Sequence, residues 1–103
     1  MLNPINPTTG TALPEVETLT LAEAEDTVGQ AVAAAPAWAA MSYSERAKCL
    51  INIAAEMRES KEELAQLMAK EMGKPLREGL GEVEKSAFCA EYYADNGEAF
   101  LEP

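Results

Sequence analysis

The chain has 103 residues, of which 8 are basic, 18 are acidic and none is histidine, for a net charge of −10. That length suits one small domain or a piece of a larger one, and falls short of a dinucleotide-binding domain joined to a substrate domain. The charge argues against nucleic acid or an anionic membrane as partner. The missing histidine removes Ser-His-Asp triads, Cys-His dyads and His-bearing metal sites.

The chain opens Asn3-Pro4-Ile5-Asn6-Pro7-Thr8-Thr9-Gly10. Each proline biases the residue before it away from the helical region, so an extended, turn-rich lead-in is expected over 1–20. Within it, Val16 to Leu21 alternates apolar and polar residues and predicts a short strand. Such a strand needs a pairing partner, in a larger protein or in another chain.

Helices are expected from there on. Thr20/Glu23, Ser42/Glu45 and Ser60/Glu63 each have the spacing of a capping box, in which the hydroxyl and the glutamate satisfy two orphan amides. They start helices over 21–35, 43–59 and 60–73, with a fourth over 76–101. Pro36 is expected to break the first, and Gly73 followed by Pro75 to end the third. Apolar stripes follow the helical period. The second helix has Tyr43, Ala47, Leu50, Ile51, Ala54 and Met57. The third has Leu64, Leu67, Met68 and Met72. The last carries a seam of Leu76, Leu80, Val83, Ala87, Ala90, Ala94, Gly97 and Leu101, with Phe88, Tyr92, Tyr93 and Phe100 beside it. The small residues predict a close approach by whatever packs there. The expected fold class is therefore mainly α: an extended or short-strand lead-in followed by about four helices, with no complete Rossmann domain.

No catalytic, cofactor-binding or metal-ligating residue is expected in this chain. Cys49 and Cys89 lie inside helices with no base and no helix N-terminus to make a thiolate, and read as unbridged, buried and slow to react. Glu78, Glu82 and Glu91, with Glu84 offset, read as a solvated acidic face diluted by Arg77 and Lys85. Gly79-Leu80-Gly81 follows no strand and lacks the third glycine of a dinucleotide loop. No apolar run nears the ~18 residues of a membrane span, and the N-terminus has no basic-then-apolar leader. A cytoplasmic setting is the expectation.

Several motifs in order carry a family resemblance. They are Ile5-Asn6-Pro7-Thr8-Thr9-Gly10, Pro36-Ala37-Trp38, Ser44-Glu45-Arg46-Ala47, Glu71-Met72-Gly73-Lys74-Pro75, Glu82-Val83-Glu84-Lys85-Ser86 and Tyr92-Tyr93-Ala94. Together they resemble the N-terminal stretch of an aldehyde dehydrogenase, in the succinate-semialdehyde branch. The resemblance implies an α/β parent that oxidises an aldehyde with NAD or NADP through a cysteine thioester. The family's cysteine nucleophile, glutamate base, oxyanion-holding asparagine and nucleotide loop have no counterpart motif here, so this chain alone is expected to bind no cofactor and to be inactive. The resemblance places Gly81 and Lys85 near the mouth of the aldehyde tunnel. It implies the remainder of a dehydrogenase, or self-association, as partner. Family members carry about one more helical turn between the Ala31-Val32-Ala33 run and Pro36. A free-standing acidic helical interaction module is the alternative reading of the same residues.

Overall fold

The computed structural model describes all 103 residues. Its order is a β-bridged lead-in and then α1 (Leu21–Ala40), α2 (Tyr43–Glu59), α3 (Lys61–Met72) and α4 (Leu76–Leu101). The mainly helical class is borne out.

The lead-in folds back on itself. Leu2 and Val16 exchange both backbone hydrogen bonds, at 2.8 and 2.9 Å, and a second antiparallel bridge joins Ile5 to Ala12. Between the two bridges, two residues on one arm face three on the other, so the ladder bulges on the side of Pro14, which has no amide to offer. At the tip, Asn6 Oδ1 accepts from the amides of Thr8 and Thr9, and Gly10 closes the turn at φ +72° with its amide donating to the Asn6 carbonyl. An Asx-type turn of this kind suits asparagine's short carbonyl arm.

The predicted strand over 16–21 does not form: only Val16 is paired, and its partner is Leu2 of the same chain. Beyond that pair, the Met1 ammonium donates to Thr18 Oγ1 at 3.1 Å. Residues 17–19 enter no ladder, and Thr20, itself extended, caps α1.

Two of the three capping boxes are present. Thr20 with Glu23 and Ser42 with Glu45 each make both reciprocal bonds. Ser60 does not cap with its side chain. It is also the last residue of the α2 terminus, and its ψ of 11° is near-helical, not extended as a capping residue requires. Gly73 ends α3 in the left-handed region, at φ +74°, with its amide donating to the Ala69 carbonyl.

Pro36 does not end α1, which runs on to Ala40. Proline removes only the bond to the Val32 carbonyl, and Val32 is exposed, so water can serve that oxygen. Ala37, Ala39 and Ala40 are strong helix formers that carry the helix on.

The core lies where α2 and α3 pack on α4; α1 buries no residue. It consists of Ala54, Ala65, Val83 and Ala87, with Gly79. The Ala/Gly seam of α4 therefore does permit close approach, but its N-terminal half runs through Gly79 and Val83, not through Leu76, which is exposed. A Cβ at Gly79 would sit 3.2 Å from Ala65 Cα. The lead-in joins this body through its tip, where Pro7 Cγ and Thr8 Oγ1 each lie 3.3 Å from the Cβ position of Gly73.

Candidate functional site

Three features of the helical body project chemistry outward. The first is an ion-pair cluster. Arg58, near the C-terminus of α2, donates from Nε to Glu84 Oε1 at 2.7 Å and pairs also with Glu91. Lys61 stands 3.7 Å from the other oxygen of Glu84, and Lys74 pairs with Glu82. The acidic face expected of α4 is thus partly neutralised by cations from α2, α3 and the α3–α4 corner, and its carboxylates do not gather into a metal-binding set. The grouping of Glu91 with Glu78 and Glu82, with Glu84 offset, is corrected: Arg58 reaches Glu84 and Glu91 together, because residues seven apart share a helix face, while Glu82 turns to Lys74.

The hydrogen bond from Arg58 holds the Glu84 carboxyl below its ordinary value of 4.5. The bonds from the Thr20 and Ser42 backbone amides, with their hydroxyls, do the same for the two capping glutamates, Glu23 and Glu45. A carboxyl depressed in the folded state stabilises above its unfolded value and loses that contribution as pH falls through the folded one. The urea midpoint of the helices is therefore expected to hold from pH 7 down to about 4.5 and to fall below it. A midpoint that rises on acidification would contradict these pairings.

The second feature is an aromatic strip on α4. Phe88, Tyr92 and Phe100 lie in sequence along it, with ring centroids 6.4 and 6.0 Å apart, and Tyr93 meets Tyr92 edge-on at 5.4 Å. All four are exposed. Cys89, expected to be buried, is exposed within this strip, because the buried line passes through Val83 and Ala87 on the opposite side; Cys49 is half-buried. Both thiols are free. A disulfide reagent is therefore expected to label Cys89 at the rate of an open thiol and Cys49 more slowly, and the reverse order would count against this placement.

The third feature is a groove of about 320 Å³ where the ends of α1 and α4 meet the start of α2. Trp38, Tyr43, Leu50, Tyr93 and Leu101 supply its apolar walls, and Asp95 and Glu98 line it as well. Arg46 enters it with its guanidinium 4.8 Å from the Tyr43 ring centroid, a cation–π distance. Its Nε is shielded from solvent and has no acceptor, and no carboxylate pairs with the side chain. The sequence named Trp38 and Tyr43 only as motif and stripe residues; the spacing of Tyr43 and Arg46, three apart on one helix face, was the available hint.

Gly81 and Lys85 lie one turn apart on the exposed face of α4, with open space at the Cβ position of Gly81. Gly79 is filled by Ala65, so Gly79-x-Gly81 is a packing feature inside a helix and does not fit a dinucleotide phosphate. No helix is long and apolar enough to cross a membrane.

Residues 1–102 match the model of the aldehyde dehydrogenase family. The chain is 38% identical over 99 residues to the NADP(+) succinate-semialdehyde dehydrogenase of Deinococcus radiodurans, covering 96% of this chain and 21% of that one. It is 37% identical over 90 residues to the mitochondrial succinate-semialdehyde dehydrogenase of Arabidopsis thaliana, covering 87% and 17%. The solved succinic semialdehyde dehydrogenase of Streptococcus pyogenes, in complex with NADP+, superposes with a TM-score of 0.88 at 31% identity, covering 97% of this chain and 22% of that one. The chain thus spans about a fifth of the length of the curated relatives it matches.

Proposed function

The chain belongs to the aldehyde dehydrogenase family, and from that premise we propose that it serves as the N-terminal segment of an NAD(P)-dependent enzyme oxidising an aldehyde, such as succinate semialdehyde, to its acid. The observation that carries this reading is the coverage: nearly all of this chain matches about a fifth of the length of relatives named for that reaction. Its own residues hold no reacting group. They supply a scaffold whose outer faces, the aromatic strip and the groove at Arg46, fit burial against the remainder of a dehydrogenase. A cytoplasmic setting belongs to the same proposal, as does self-association of the isolated chain through the exposed strip of α4.

Gly81 and Lys85 would sit at the mouth of the aldehyde tunnel. Two features support this placement: both face outward one turn apart, and Lys85 makes no ion pair within the chain.

The test compares two preparations: the 103-residue chain, and a fusion in which it replaces the matched stretch of the Deinococcus relative. The isolated chain is expected to reduce neither NAD nor NADP with succinate semialdehyde above a blank, and the fusion is expected to turn over. Turnover by the isolated chain, or an inert fusion beside an active unmodified relative, would sink the reading.

A further inference from the structure

We propose that the groove at Arg46 is the seat of an apolar, basic-flanked segment from the downstream polypeptide of the same dehydrogenase, which offers a carbonyl or carboxylate oxygen to Arg46 Nε. The inference rests on the reading above and adds which surface is covered, by what chemistry, and through which residue.

Four observations converge. Arg46 Nε is a donor shielded from solvent with no acceptor in this chain, an arrangement native proteins rarely leave standing. The apolar walls offer room for a side chain or two, at the small end of the range of binding cavities. Asp95 and Glu98 beside it ask for a cation on the occupant. Leu101, the last residue of α4, lines the groove, and the matched stretch is 21% of the relative's length, so most of such an enzyme is available to cover it. The same charges disfavour a second copy. Two chains at −10 would have to meet with Asp95 and Glu98 of each at the contact.

Trp38 is the only tryptophan, so a single fluorotryptophan label reports the groove by one fluorine resonance. In the isolated chain, R46M is expected to leave the urea midpoint nearly unchanged, because the unpaired donor it removes offsets the lost contact with the Tyr43 ring. In the fusion, the same substitution is expected to lower the melting temperature by about 2–4 °C, because it removes a paired one. The label on Trp38 is expected to shift between isolated chain and fusion, and to stay put when the isolated chain is concentrated. An equal effect of R46M in both preparations would overturn the proposal. So would a Trp38 resonance that moves with concentration, which assigns the groove to a second copy. A fusion that turns over yet is indifferent to R46M removes the groove assignment and leaves the family role standing. Should the fusion not fold, the labelled chain is mixed with the relative's remainder as a separate polypeptide; a shifted resonance supports the proposal and an unshifted one overturns it.

Discussion

Heated alone, the 103-residue chain is expected to lose its helices gradually over a wide temperature range, and to bind a hydrophobic dye before heating begins. The reason is burial. Five residues of the 103 are buried, none of them a large side chain. The accessible surface is 7891 Å², where a compact monomer of 11.1 kDa would expose about 5,700 Å². The radius of gyration is 17.8 Å, where roughly 13 Å is usual for this length. Each ordered residue costs about 1–2 kcal/mol in backbone entropy, and alanines buried on one side of α4 offset little of it. The capped helices persist because their ends are satisfied locally, while the packing between them is thin. Circular dichroism with sedimentation checks this. A compact monomer with a sharp, high-temperature transition would instead make the chain a self-sufficient module.

Gly79→Leu is expected to separate α3 from α4. Even a bare Cβ there would lie 3.2 to 3.4 Å from the Cα, Cβ and carbonyl oxygen of Ala65, and two of those three are backbone that cannot swing away. A leucine adds three more carbons to that gap, and overpacking of this kind costs about 1–3 kcal/mol. In a protein with so little buried area that is enough to detach the third helix. Gly79→Ala is the informative control. Its gain in helix propensity, about 1 kcal/mol, opposes a shift of a few tenths of an ångström, so it should come out near neutral. The comparison is read in urea unfolding of the two variants beside the parent. A leucine variant as stable as the parent would mean that α3 and α4 do not approach this closely.

The helices were legible in the sequence because their signals are local. Thr20, Ser42 and Gly73 act on amides or carbonyls within four residues, and all three do what their spacing implies. Ser60 has the right spacing but serves two helices at once, and no reading of four residues reveals the backbone angle that follows. Pro36 was misjudged because a proline's cost depends on whether water can reach the freed carbonyl, which is a matter of tertiary exposure. The fold-back of Leu2 onto Val16 was invisible for a related reason: a period-two pattern announces a strand but not its partner. The family resemblance was legible from ordered motifs. The Arg46 groove was not, because an unpaired donor can be recognised only after every other acceptor has been located.

The resting of the Asn6–Gly10 turn against Gly73 has a consequence for how the chain is made. The turn is synthesised before its seat, with three helices between them. At ~5–20 residues per second, extending from Pro7 through three helices to Gly73 takes on the order of several seconds. Helices form in about a microsecond and hairpins in about ten, so each element is complete long before this contact is possible. During that interval the lead-in must hold its shape without a neighbour. Its amides bond to Asn6, to Thr9 and across to the opposite arm, and none of them waits for the corner at Gly73. The segment is thus built to emerge before its seat, stay folded on its own hydrogen bonds, and dock once Gly73 is in place.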